Sequence, residues 1–266
     1  MILSSFGILS SSRPDPDAQS FITTAGLTDP TQIYAIEYLT WGLKNYALWT
    51  PLDAIYPFIG STATTQKWNL KNPADTDGAY RLTFNGGWTH SSTGALGNGT
   101  NTYANTFYST SSLVQNDTSM GFYARVNYTP DGGGDIDMGA FNETTGNGLF
   151  LAAEIVSDLP RLRMYSNACD STGTNQQGFW VGAAGSDTRL FKNGSVLTTI
   201  ANSGTFPLTT GNIFLGAIRQ LQGAGQNYYT AQEYAFAFIG KNLTNTQVSN
   251  LDLVVQQYQT ILSRNV

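Results

Sequence analysis

The sequence predicts a mainly-β protein, an antiparallel β-sandwich with two helices before the strands and one helix after them. Charged residues make up only 12% of the chain, about half the usual share in a globular protein. Short β-branched and aromatic runs alternate with Gly, Asn, Pro and Asp from Ala54 to Gly240, while helical periodicity is confined to the two ends. One main domain fits the 266 residues, because all-β domains often reach this length undivided.

Residues 1–14 are predicted to form an arm outside the sandwich. Its apolar side chains precede Arg13-Pro14-Asp15-Pro16, where two prolines prevent continuous helix or sheet. We expect the arm to dock on a partner through Ile2, Leu3, Phe6, Ile8 and Leu9. The alternative is that the arm folds back as an edge strand of its own sandwich.

Residues 15–50 are predicted to form two helices that pack on the sandwich. The first runs from Asp15 to Gly26, with an acidic start and a glycine stop, and the second starts at Asp29-Pro30. The second has an apolar stripe at helical spacing, which predicts one buried face. The stripe comprises Ile33, Ile36, Leu39 or Tyr38, Leu43 and Ala47.

Residues 51–266 are predicted to form the sandwich and its closing helix. Strands are expected in Ala54–Ile59 and Gly121–Val126. Asn193-Gly194 supplies both positive-φ positions of a type I′ turn, which predicts a hairpin over Arg189–Leu197. Thr244 and Gln247 form a capping box before an amphipathic helix whose stripe begins at Val248 and Leu251.

The charge and composition argue against several classes of function. The net charge is −5 and no Lys/Arg cluster occurs, so nucleic-acid binding is not expected. The single Cys169 and the single His90 cannot supply a transition-metal site, and neither a metal nor a cofactor is predicted. No apolar run is long enough to span a membrane, so membrane insertion is not expected. The opening residues lack the basic flank of a signal peptide, which favours assembly in the cytoplasm.

The acidic run Asp131-Gly-Gly-Gly-Asp-Ile-Asp-Met-Gly-Ala-Phe-Asn-Glu143 is the strongest catalytic candidate, because glycosidases use paired carboxyl groups. Laminarinase-like enzymes carry Glu-x-Asp-x-x-Glu. Aligning Asp135 and Asp137 with its first two acids puts Ala140 or Phe141 at the proton donor. We therefore predict that the chain is not an enzyme, and that the run is an acidic turn entering a strand. Calcium binding is a weaker alternative.

Aromatic residues beside Gly/Asn/Thr loops are candidate sugar-stacking platforms. Burial in the core is the alternative for each of them, since a β protein rich in aromatics places most rings inside. The candidates are Trp88, Tyr103, Trp180, Tyr228 and Tyr229.

Several segments resemble proteins encoded by tailed bacteriophages, crAss-like gut phages among them. The resemblance spans about residues 18–266 and includes the Asn-Gly hairpin and the closing helix. Four further segments carry it: Ala54–Gly60, Lys67–Pro73, Leu82–Gly94 and Ala235–Gly240. The β region of that set looks like a concanavalin A or laminin-G-type jelly roll.

This resemblance implies a virion structural protein, such as a capsid auxiliary or decoration protein, a head fibre or a tail-associated subunit. Its implied partners are other capsid or tail subunits and further copies of the same chain, with host-surface glycans as a further contact. The implied location is the virion, assembled in the host cytoplasm. No functional residue transfers from the resemblance, because it carries no catalytic motif. A soluble carbohydrate-binding module or adhesin is the alternative function, and a glycoside hydrolase is a weaker one.

Overall fold

The structure is a computed structural model that describes residues 14–128, 134–142, 144–155, 159–165, 167–173, 175–202, 210–221 and 226–266. The docking residues predicted in the arm, Ile2, Leu3, Phe6, Ile8 and Leu9, lie outside these ranges. The described helices are α1 (Pro16–Ala25), α2 (Pro30–Asn45), α3 (Ala63–Gln66) and α4 (Asn245–Ile261).

The described strands fall into a first and a second group along the chain. The first comprises β1 (Leu52–Tyr56), β2 (Thr83–Asn85), β3 (Thr89–Ser91), β4 (Gly94–Leu96), β5 (Tyr103–Ser109), β6 (Thr118–Ala124), β7 (Met138–Asn142) and β8 (Asn147–Ala152). The second comprises β9 (Arg161–Tyr165), β10 (Asn167–Asp170), β11 (Gly178–Ala184), β12 (Asp187–Lys192), β13 (Ser195–Ala201), β14 (Asn212–Leu215), β15 (Ile218–Gln220), β16 (Gln226–Asn227) and β17 (Glu233–Gly240).

These strands form two sheets, which confirms the predicted β-sandwich. Sheet A has eight strands in the order β13-β12-β11-β6-β17-β4-β3, with β1 also paired to β17. Sheet B has nine strands in the order β10-β9-β8-β7-β14-β5-β2, with β15 and β16 attached beside β7. Neighbouring strands run antiparallel except for β15 and β7. Strands that are distant in sequence therefore lie side by side.

The helices cover the outer face of sheet A and give the molecule a third layer. One apolar core lies between the sheets and includes Phe122, Leu149 and Trp180. A second core lies between sheet A and the helices and includes Leu39 and Phe236. The centre of sheet A is therefore buried on both faces, and every residue of β6 and β11 is buried.

The predicted starts of α1 and α2 and the predicted end of α1 are confirmed. The carboxylates of Asp15 and Asp29 accept backbone N–H bonds at the starts of α1 and α2, and Gly26 ends α1 at a φ of 66°. In the predicted stripe of α2, Ile36, Leu39 and Leu43 are fully buried. Ala47 was wrongly placed in that stripe, because α2 ends at Asn45 and Ala47 is exposed at a φ of 55°.

The predicted hairpin and closing helix are also present. β12 and β13 pair across Asn193 and Gly194, whose φ angles are 46° and 72°. Both positions are left-handed, as a type I′ turn requires. Thr244 and Gln247 form the expected capping box, and the side chains of Val248 and Leu251 are buried against sheet A.

Candidate functional site

The five candidate aromatic residues have different environments. Trp180 is 1% exposed, and its Nε1 donates to the carbonyl of Gln176 at 2.6 Å. The interpretation of Trp180 as a sugar-stacking platform is therefore wrong, because its ring is buried in the core. Trp180 lies on β11, whose two faces are covered by the helices and by sheet B. Trp88 is partly buried, with its ring centroid 5.5 Å from that of Phe84 and 6.0 Å from that of Tyr234. It belongs to the edge of the core.

The two tyrosines near the end of the β region are more accessible. Tyr228 is 40% exposed and adopts a φ of 59°, and Tyr229 is half-buried. Neither residue lines the described groove that contains Tyr103. That groove places polar side chains beside Tyr103.

Tyr103 lies in a groove on the outer face of sheet B, here called the sheet B groove. The groove has a volume of about 440 Å³. Its lining comprises Thr83, Asn85, Tyr103, Asn105, Gly211, Asn212, Phe214 and Arg219.

Strand register brings these residues onto one face. Along β5, exposure alternates, so Tyr103 and Asn105 point outward while Ala104 points into the core. Asn85 pairs with Tyr103, and Asn105 pairs with Phe214 on its other side. Three strands thus contribute to one surface.

The centre of the groove is an aromatic pair. The rings of Tyr103 and Phe214 stack with centroids 4.8 Å apart and planes inclined by 20°. Phe214 is 5% exposed and supports the more accessible Tyr103 from within the sheet. The guanidinium of Arg219 lies 5.7 Å from the centroid of the Phe214 ring. Tyr103 is therefore held in place by packing and offers a rigid apolar surface beside polar groups.

Three asparagines surround this pair. Asn85 Nδ2 donates to the carbonyl of Thr83 at 3.0 Å, and Asn105 Oδ1 accepts from the backbone N–H of Phe107 at 2.9 Å. These bonds orient each amide and leave Asn85 Oδ1 and Asn105 Nδ2 without a partner among the described residues. Oriented amides can bind hydroxyl groups as donor or acceptor. No carboxylate or imidazole occurs among the described lining residues of the groove.

The described part of the acidic run lies elsewhere, and both of its aspartates, Asp135 and Asp137, are buried. Asp137 is 1% exposed; its Oδ2 accepts from the backbone N–H of Ala153 at 2.8 Å, and its Oδ1 accepts from Thr230 Oγ1 at 3.1 Å. Tyr234 O–H also lies 3.2 Å from Oδ1. Burial raises the pKa of Asp137 to about 7.

These contacts enclose the carboxyl of Asp137 among described residues. Through Tyr234 they link the segment just before β7 in sheet B to β17 in sheet A. Ala140, at one of the two positions aligned with the proton donor, is fully buried. Phe141, at the other, is partly buried against Phe150. Residues 131–133 and 143 of the run lie outside the described ranges. Among the described residues, no group of three or more His, Cys, Asp or Glu side chains is placed to hold a metal.

The single histidine is partly buried and the single cysteine is buried. His90 Nδ1 lies 2.6 Å from Gln66 Oε1, and its ring meets that of Phe84 edge-on at 4.6 Å. Burial lowers the pKa of His90. Cys169 is buried, and burial raises the pKa of its thiol. Neither side chain lines the sheet B groove.

No helix in the described part of the chain is long and apolar enough to cross a bilayer.

The comparisons with known proteins identify the fold. No family model matches the sequence, and no curated protein matches it. Among solved structures, domain 4 of an extracellular arabinanase from Geobacillus stearothermophilus, in complex with arabinotriose, is similar with a TM-score of 0.52 and 15% identity. The match covers 76% of this chain and 98% of that domain.

Two larger proteins contain a similar domain. Botulinum neurotoxin type C, described as entering cells through interaction with two ganglioside molecules, matches with a TM-score of 0.56 and 10% identity over 79% of this chain and 52% of its own. A Trypanosoma rangeli sialidase matches with a TM-score of 0.51 and 10% identity over 83% of this chain and 39% of its own. At these identities the likeness establishes the fold, a β-sandwich of jelly-roll type, as the sequence predicted.

Proposed function

We propose that this chain is a non-catalytic, glycan-binding structural subunit of a bacteriophage particle. The observation that carries the glycan part is the sheet B groove, where the Tyr103–Phe214 pair lies among three asparagine side chains. A sugar ring presents an apolar C–H face and a rim of hydroxyl groups. An aromatic ring next to oriented amides complements both features.

The structural neighbours support the glycan-binding part of the proposal. The arabinanase domain is in complex with arabinotriose, and entry of the neurotoxin depends on interaction with gangliosides. Both ligands are carbohydrates or carry them. We extend this chemistry to the present chain because its own groove offers suitable groups, since a shared fold does not determine function.

The virion part of the proposal is supported by the sequence resemblance to tailed-phage proteins. A particle displays many copies of each subunit, so a shallow groove of modest affinity gains avidity on a glycan-coated surface. The chain would then be a capsid auxiliary protein, a head fibre or a tail-associated subunit, in contact with other virion proteins.

The absence of catalysis is part of the proposal. Support comes from Asp137, whose buried carboxyl is held by Ala153, Thr230 and Tyr234. Most glycosidases use two accessible carboxyl groups on either side of the scissile bond.

A glycan microarray probed with the purified protein tests the glycan part. We expect binding to a defined set of oligosaccharides, no release of reducing sugar from them, and loss of binding in a Tyr103→Ala variant. Binding that Tyr103→Ala leaves unchanged, or sugar release that Asp137→Asn abolishes, would contradict it. Mass spectrometry of purified particles tests the virion part. Absence from them would leave the soluble carbohydrate-binding module or adhesin as the better account.

A further inference from the structure

The described lining of the sheet B groove contains one charged side chain, and that side chain is a cation. Arg219 is the only Lys or Arg among the described lining residues, and none of them is Asp or Glu. The groove therefore carries a local positive charge, although the net charge of the whole chain is −5.

The charges of the adjoining pocket cancel. This pocket shares one lining threonine with the groove and includes Lys67, Asp75 and Arg81. The carboxylate of Asp75 lies 2.8 Å from both Lys67 Nζ and Arg81 Nε. Asp77 Oδ1 lies 2.9 Å from Arg81 Nη2. Two cations thus balance two anions, and this pocket does not offset the charge of Arg219.

The fold places this cation next to the aromatic pair. β15 runs parallel to β7, where Arg219 is the register partner of Ala140. The guanidinium of Arg219 lies 5.7 Å from the centroid of the Phe214 ring, and the same ring stacks on Tyr103 at 4.8 Å. Phe214 therefore holds both the stacking surface and the charge, and the packing fixes the position of each.

We infer that the sheet B groove selects acidic sugars, with Arg219 binding the carboxylate of a uronic or sialic acid unit while a sugar ring stacks on Tyr103. This inference rests on the proposed glycan-binding function and names its class of ligand. The planar guanidinium matches the geometry of a carboxylate. It has five N–H donors, so the further interaction that Arg219 makes within the chain leaves donors for a ligand.

The negative net charge of the chain opposes an acidic ligand only weakly. The screening length at physiological salt is about 8 Å, so charges on distant parts of the surface are largely screened. A carboxylate bound to Arg219 would be in direct contact with the cation. Charge-assisted hydrogen bonds of this kind are about twice as strong as neutral ones. The local contact therefore decides which sugars are preferred.

Calorimetric titration of two acidic sugars into the full chain tests the inference. The sugars are trigalacturonic acid and sialyllactose, each as the free carboxylate and as its methyl ester. The ester keeps every sugar ring and every hydroxyl group but removes the charge. We expect the wild type to bind at least one carboxylate at least about fivefold more tightly than its ester. The sugar that shows this preference identifies the type of acidic unit.

Two variants assign the preference to one side chain. Arg219→Gln should bring the carboxylate and its ester to similar affinities. Arg163→Gln is the matched control and should keep the wild-type preference. Arg163 is also a partly buried arginine of sheet B, with its guanidinium 5.3 Å from the centroid of the Phe141 ring, but it does not line the groove. Comparing carboxylate with ester inside each protein separates the loss of charge from any loss of folded protein.

Equal binding of carboxylate and ester by the wild type would overturn the inference. So would binding of neither acid, a preference that Arg219→Gln retains, or an equal loss of preference in Arg163→Gln. The proposed glycan-binding function survives these results if neutral sugars of the microarray bind and Tyr103→Ala abolishes that binding. Absence of binding to every glycan would refute the proposed glycan binding and this inference together.

Discussion

At the scale of single residues, burial decides whether a pattern in the sequence can correspond to a functional site. The acidic run resembles a catalytic strand because aspartates recur at short spacing, yet Asp137 lies inside the sandwich and its carboxyl accepts from Ala153, Thr230 and Tyr234. The sequence could indicate that a proton donor was missing at Ala140 and Phe141. It could not indicate that Asp137 is buried, because the groups that enclose it come from distant parts of the chain.

The raised pKa of Asp137 predicts how stability depends on pH. In the unfolded chain this carboxyl loses its proton near pH 4, while in the folded protein it does so near pH 7, because burial disfavours the charged form. Between these values the folded state binds more protons than the unfolded state. The contribution of Asp137 to the free energy of unfolding therefore falls as pH rises through this window.

Asp137→Asn should remove this contribution. An asparagine side chain can present its oxygen to Ala153 N–H and its NH2 to Thr230, and it does not ionise. Thermal unfolding of the wild type and the variant at pH 5, 6, 7 and 8 measures the effect. The difference in stability between the two proteins should shift in favour of Asp137→Asn with rising pH. A difference that is constant across the range would show that the carboxyl does not titrate there.

For the candidate aromatic residues, too, part of the outcome could be predicted from the sequence and part could not. The sequence can identify rings beside turns, and Tyr103 indeed lines a groove. It could not separate Tyr103 from Trp180, because exposure depends on which layer covers each strand. The helices bury the outer face of sheet A, so Trp180 on β11 is enclosed, whereas Tyr103 on β5 faces outward from sheet B.

At the scale of elements, structure that depends on local chemistry was predictable. The caps at Asp15, Asp29 and Thr244 and the turn at Asn193-Gly194 are formed within a few residues of sequence. Strand order was not predictable, because it depends on pairs such as Asn105 and Phe214 that only the folded chain brings together. The contacts of the buried Arg264 were likewise not predictable from the sequence. Its guanidinium donates to the carbonyls of Pro57, Phe58 and Ala235, which only the folded chain brings together.

The β12–β13 hairpin should depend strongly on Gly194. Its φ of 72° is costly for a β-branched residue, and an added Cβ would lie 3.1 Å from Asp252 Cβ on α4. Gly194→Val should lower the free energy of unfolding by about 1–3 kcal/mol. Chemical denaturation measures this change. Gly78→Ala is the matched control, because φ at Gly78 is not positive and no atom lies within 4 Å of the added Cβ. Equal stability of the wild type and Gly194→Val would contradict the account of this turn.

The whole molecule has two different faces, and this difference supports the account of its function. Sheet A is covered by helices, while the described part of sheet B carries a groove with an aromatic pair and three asparagines. The fold class was predictable from composition and periodicity. The groove was not, because its lining comes from four separate segments of the chain, of which the sequence indicated only Tyr103.

Calorimetric titration of the strongest microarray ligand into three proteins tests the central claim most directly. The proteins are the wild type, Tyr103→Ala, and Tyr34→Ala as the control, since Tyr34 is an exposed tyrosine on α2, outside the groove. Loss of the stacking surface should weaken binding to Tyr103→Ala by at least about tenfold, equivalent to about 1.4 kcal/mol, while Tyr34→Ala binds like the wild type. Equal affinity of Tyr103→Ala and the wild type would contradict the claim that the sheet B groove binds the glycan.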